Sequence, residues 1–161
     1  MSGTLVSGSY VDLSEFGDTS YYVIQSTATA TPTTTPAGNS FKADWYGTVS
    51  GIAQGSQNLV VTGKTYCSST TTTVPVSCNQ IIAIWNWRMN AWVQLDARTL
   101  TSETSVTSPV TASPAGRWSD YIGTGVYAGQ ARVRVFAYRP QVGGAAFRVR
   151  GNFMKLVYDA P

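Results

Sequence analysis

The sequence predicts an all-β protein: an antiparallel β-sandwich of about eight strands, with jelly-roll-like connectivity. Three observations point there. Only 12% of the residues are charged, while Thr, Ser, Gly, Val, Tyr and Trp are abundant, a composition that favours pleated sheet and turns over helix. Strand-like runs recur between turn signals, and no segment carries a convincing helical period. The 161 residues fit one domain, 1–161, able to bury roughly two-thirds of the surface that the unfolded chain exposes.

In chain order the expected strands run from Thr4 to Leu13, Tyr21 to Thr27, Phe41 to Ile52, Asn58 to Cys67, Cys78 to Trp87, Trp92 to Thr101, Ala131 to Arg139 and Ala146 to Tyr158. The separators Gly17-Asp18, Gln54-Gly55-Ser56, Arg88 to Ala91 and Val142-Gly143-Gly144 all contain residues that tolerate turn geometry. A Thr/Pro-rich loop at about residues 28–40 and the run Ser68-Ser69-Thr70-Thr71-Thr72-Thr73 read as exposed loops, open to O-glycosylation in a suitable host, and no Asn-x-Ser/Thr sequon exists. Arg117 to Gly125 reads as a long ordered loop whose Trp118 and Tyr121 either anchor it or face a ligand.

Cys67 and Cys78 flank a Thr/Ser/Pro-rich stretch. That spacing suits a disulfide clipping two neighbouring strands, with two reduced buried thiols as the alternative. With a Ser/Thr-rich, Lys-poor composition, it favours an extracellular setting. The net charge is +3, without the Lys/Arg runs of a nucleic-acid or anionic-membrane binder. No apolar stretch approaches the roughly 20 residues of a membrane span. Met1-Ser2-Gly3 lacks the regions of a signal peptide, so an artificial start, a piece of a longer chain or a processed product is expected.

Three of the five tryptophans fall in the stretch IWNWRMNAWVQLD, Ile84 to Asp96. With Arg88 to Ala91 as a four-residue hairpin loop, Trp87 lies opposite Trp92, Trp85 opposite Gln94 and Ala83 opposite Asp96. Ile82, Ile84 and Asn86 then share the core face with Ala97, Leu95 and Val93. Trp85, Trp87 and Trp92 share the other face, beside Gln94, Asp96, Arg88 and Asn90. Such a group is either a hairpin-stabilising aromatic cluster covered by a loop or an exposed platform for sugars, whose C–H faces stack on indole while polar neighbours take the hydroxyls. A one-residue register slip exchanges the faces.

Arg132-Val133-Arg134-Val135 and Phe147-Arg148-Val149-Arg150 alternate strictly. If the two strands pair, Arg132, Arg134, Arg148 and Arg150 share one sheet face. They then need compensation from carboxylates such as Asp96, Glu103, Asp120 or Asp159, from aromatic stacking, or from an anionic glycan or phosphate bound there.

Histidine is absent, which removes Ser-His-Asp and Cys-His catalysis and histidine-ligated metals. Two carboxylates suffice for a glycosidase, and Asp96 with Glu103 or Asp120 are candidates, but nothing fixes their separation. The chain is expected not to be an enzyme and to need no cofactor. A structural calcium at a carboxylate such as Asp12, Asp18 or Asp120 stays open.

Ala43-Asp44-Trp45-Tyr46-Gly47 with Asn58 to Thr62, Ile84-Trp85-Asn86-Trp87 with Ala91 to Thr99, Arg132 to Val135, and Leu156 to Asp159 together resemble a family of β-sandwich modules found at the ends of secreted bacterial proteins, including hydrolases. The resemblance covers about residues 20–159, and the Thr/Pro patch around 29–36 is an addition to its pattern. It implies an accessory, non-catalytic, carbohydrate-binding-like role with a polysaccharide or glycan as partner. The competing expectation is a structural or adhesive unit whose tryptophans are covered by a neighbouring domain or by copies of itself.

Overall fold

A computed structural model describes residues 2–9, 13, 21–28, 40–111, 117–140 and 145–161. The expected Thr/Pro-rich loop, Asp12, Asp18 and the Val142 to Gly144 turn lie outside the described residues. Two antiparallel five-stranded sheets pack as a sandwich. The strands are β1 (Thr4–Ser7), β2 (Tyr22–Gln25), β3 (Thr27–Ala28), β4 (Ser40–Val49), β5 (Gln57–Ser69), β6 (Cys78–Asn86), β7 (Ala91–Leu100), β8 (Thr104–Pro109), β9 (Ala131–Pro140) and β10 (Phe147–Asp159). The first sheet has the order β1-β2-β10-β5-β8, and the second β3-β4-β9-β6-β7.

The period-two pattern chooses the inner face. On β9, Ala131, Val133, Val135 and Ala137 are buried while Arg132, Arg134, Phe136 and Tyr138 are only partly covered. Two apolar clusters fill the interior. One gathers Leu59, Val61, Val106 and Leu156 of the first sheet against Ile82, Ile84 and Val133 of the second. The other packs Ile24, Phe147 and Val149 against Ala43, Trp45 and Val135. Interdigitated side chains of this kind make the core between two aligned sheets.

Strand β8, Thr-Ser-Val-Thr-Ser-Pro, was not expected from sequence. Its one large apolar side chain, Val106, enters the core, while the other positions are Thr, Ser and Pro. It is an edge strand paired only with β5, and Pro109 ends it where a missing N–H costs little. The expected Thr4 to Leu13 strand is described only as β1. Just after it, Gly8 has φ +89, and a Cβ there would lie 2.3 Å from the Tyr21 carbonyl oxygen, so no other residue fits without displacing backbone.

Cys67 and Cys78 form a disulfide. It does not clip hydrogen-bonded neighbours: β5 and β6 follow one another in the chain but belong to opposite sheets, so the bridge crosses the core. Both sulfurs are buried, and the short loop they close implies about 3 kcal/mol of stabilisation. Nearby, the Thr65 hydroxyl of β5 donates to Gln80 Oε1 of β6, a second polar link between the layers. Of the Ser/Thr run, residues 71–73 are exposed as expected, whereas Ser68 and Ser69 end β5 and Ser68 is buried. No helix among the described residues is long and apolar enough to cross a membrane.

Candidate ligand-binding site

The hairpin register differs from the expected one. Trp85 pairs with Trp92 and Asn86 with Ala91, so the turn is Trp87 to Asn90 and Trp87 leaves the strand. Two asparagines set this geometry. The Met89 N–H donates to Asn86 Oδ1 at 2.8 Å, and Asn90 takes φ +52, the left-handed region that Asn tolerates better than most residues. A bulge follows: Ala83 faces Gln94 but Ile82 faces Asp96, leaving Leu95 unpaired between them. Gln94 therefore stays beside the tryptophans. Asp96 passes to the side of core residue Ile82, where its carboxylate accepts from Arg98 Nε at 2.7 Å and Nη2 at 2.5 Å. Ile82 and Ile84 do face the core.

The tryptophans still meet. Trp85 and Trp92 lie edge to face at 5.2 Å, and Trp85 and Trp87 likewise at 6.5 Å. Two residues not expected from sequence extend the group. Tyr46 of β4 lies 6.0 Å from Trp92, and Tyr127 stacks on Trp87 at 5.0 Å. Both tyrosines are 44% exposed, while the three indoles are partly buried. The indoles thus form a curved aromatic patch, with a face of Trp87 occupied by Tyr127. Tyr46 and Tyr127 were hidden because one sits two strands away and the other in a turn far along the chain.

Arginines run along the rings. The Arg132 guanidinium carbon lies 4.6 Å from the Trp87 ring centre, 4.9 Å from Tyr127 and 6.0 Å from Tyr46. That of Arg134 lies 5.7 Å from Trp92 and 5.3 Å from Phe136. These separations are those of cation–π contacts. Arg134 also donates from Nε to Asp44 Oδ2 at 2.8 Å and from Nη2 to the same oxygen. Asp44 is 5% exposed and also accepts the Ser2 N–H. Its partnership was missed because it sits 90 residues from Arg134.

The four arginines do not share a face. β9 belongs to the second sheet and β10 to the first, so Arg148 and Arg150 stand on the opposite outer surface. There Arg148 Nε approaches Gln25 Oε1 at 3.4 Å, and Arg150 Nε donates to Ser68 Oγ at 2.9 Å with its guanidinium 6.0 Å from the Tyr66 ring. The carboxylates proposed for the four are occupied elsewhere: Asp96 with Arg98, Glu103 with Lys64 at 3.0 Å, and Asp159 with Asn58 at 2.8 Å.

The loop after residue 116 anchors the hairpin. Tyr121 and Ile122 are buried, Trp118 packs against the core, and the Trp87 N–H donates to the Asp120 carbonyl at 2.8 Å. At Gly123 a Cβ would lie 2.3 Å from the Tyr127 carbonyl oxygen and 3.1 Å from Trp87 Cε2, so glycine lets the indole seat. Beside Trp87 opens a cleft of about 280 Å³ lined by Gln54, Arg88, Ser119, Asp120 and Thr124. Arg88 Nη1 stands 3.7 Å from Asp120 Oδ2 across it, and Asn90 is exposed at the turn. Among the described residues no three His, Cys, Asp or Glu side chains are grouped to hold a metal ion.

The chain matches no family model, no curated protein and no solved structure.

Proposed function

We propose that this protein is a non-catalytic carbohydrate-binding module of a secreted protein, and that its ligand lies on the outer face of the second sheet, across Tyr46, Trp92 and Trp85 toward the Trp87 cleft. The observation that carries this reading is the continuity of partly exposed rings with a polar cleft. Pyranose C–H faces stack on such rings, while Gln94, Arg88, Asn90, Gln54 and Asp120 supply donors and acceptors for hydroxyls. Asp96 drops out of the ligand set because the bulge turns it away. The strand order β2-β10-β5-β8 facing β4-β9-β6-β7 supports a jelly-roll reading, and the buried disulfide supports an oxidising, extracellular setting. The absence of histidine, together with the candidate carboxylates Asp96, Glu103 and Asp120 each lying beside a basic side chain, supports a binding rather than a catalytic role.

Polysaccharide pull-down with tryptophan fluorescence tests this. Trp92→Ala and Tyr46→Ala are expected to weaken glycan binding by about tenfold or more with the fold retained. No binding by the parent chain across neutral and acidic glycans, or silent variants, sinks it.

A structural or adhesive role is favoured by one other feature: Met89 (60% exposed) and Val126 (88% exposed) project from the turns flanking the aromatic group. That reading expects self-association by light scattering, lost in Val126→Asp with Met89→Asp.

A further inference from the structure

We infer that Arg132 is the recognition point for a carboxylate on the ligand, so that the glycan is an acidic polysaccharide carrying uronic acid units; the inference rests on the glycan reading above. Arg132 and Arg134 project from the same face of β9 against different rings, and they differ in charge compensation. Arg134 has a carboxylate, Asp44. Among the described residues Arg132 has no ion-pair or hydrogen-bond partner: its charge meets only the rings of Trp87, Tyr127 and Tyr46. Its Nε is buried without an acceptor, and so is the Nε1 of the neighbouring Trp87. Ring faces compensate a guanidinium only weakly, short of what a hydrogen-bonded anion provides. The site thus holds a cation and a second unsatisfied donor within a wall of aromatic side chains.

The geometry favours an anion with two oxygens side by side. With Nε enclosed, an incoming group meets the two Nη atoms end-on, a planar fork that fits a planar carboxylate in two parallel hydrogen bonds. A sulfate or phosphate can also present two oxygens to such a fork, so the choice of a carboxylate rests on the sugar ring that carries it. A uronic acid supplies the carboxylate and, on the same ring, the C–H face that Tyr46 and Trp92 can stack.

Binding of the intact chain to polygalacturonate, alginate and hyaluronan, to their carboxyl-reduced counterparts and to dextran sulfate tests this. At least one uronate polymer is expected to bind about tenfold or more tightly than its reduced counterpart, with affinity falling as salt rises. Arg132→Gln should abolish that preference while Arg132→Lys keeps part of it. Thermal melts of both variants show whether the sandwich persists, and retained binding to reduced polymer by Arg132→Gln controls for local collapse. Equal binding of acidic and reduced polymers overturns the inference and leaves the glycan reading standing, as does an unchanged preference in Arg132→Gln. Dextran sulfate bound as tightly as any uronate overturns carboxylate selection. No binding to any polymer overturns both readings.

Discussion

Strands β9 and β10 carry the same short pattern, Arg-Val-Arg, at residues 132–134 and 148–150. Both bury the valine and turn the arginines outward. There the likeness ends. On β9 the guanidinium groups lie against indole and phenol rings, one of them held by the buried carboxylate of Asp44. On β10 they rest against Gln25, Ser68 and a single tyrosine. Alternation decides which side chains go inward, and it is silent on what the outward ones meet, because strands far apart in sequence provide that. The second sheet spends its outer face on aromatic surface, and the first covers its own with polar contacts.

Removing the anchor of each pair should break this contrast most visibly. Asp44→Ala leaves the Arg134 charge half-buried and frees the Ser2 N–H. It is expected to cost about 3 kcal/mol, read as a lowered urea midpoint at unchanged slope. Arg150→Gln, which loses a hydrogen bond to buried Ser68 and a ring contact, should cost about 1 kcal/mol. Arg148→Gln, with one long contact to Gln25, should stay within about 0.5 kcal/mol. Equal costs at Asp44 and Arg148 would show that the two faces are built alike.

Much of the fold was legible and much of the site was not, for different reasons. Runs such as Ala131 to Arg139 alternate apolar and polar residues, and that period survives any choice of partner strand. β8 escaped notice because Val106 alone marks its buried side among Thr, Ser and Pro. The hairpin turn was misplaced by one residue because Trp87 was counted as strand, although Asn86 and Asn90 carry the local signal for a turn between them. The bulge at Leu95 then removed Asp96 from the indole face, and no residue in that stretch announces it. The disulfide's partners were legible, but its crossing of the core was not, since sequence spacing does not say to which sheet each strand belongs. Asp44, Tyr46 and Tyr127 reach the site only through pairing of β4 with β9 and the fold of the loop before β9.

The smallest effect concerns the polar side of the comparison. On the first sheet's surface Tyr21 donates to Glu103 Oε1 at 3.1 Å and meets Tyr66 edge to face at 5.5 Å. Burial raises the Tyr21 phenol above its ordinary value, with the Glu103 charge and hydrogen bond adding to the shift. Burial likewise raises Tyr66, where Arg150 pulls down and Glu103 pushes up. A raised phenol holds its proton more tightly in the folded state, so this contribution to stability is fully present below the unfolded value near 10 and is lost as pH rises through the folded values. Absorbance at 295 nm should therefore show phenols ionising later than free tyrosine, and Tyr21→Phe with Tyr66→Phe should remove that late component and flatten the fall in stability above about pH 10. Arg150→Gln should push Tyr66 later still, because it deletes the charge that favours the phenolate. A late component unchanged in the double variant would place the tightly held protons elsewhere, and the first sheet's outer face would lose its claim to be a closed polar network.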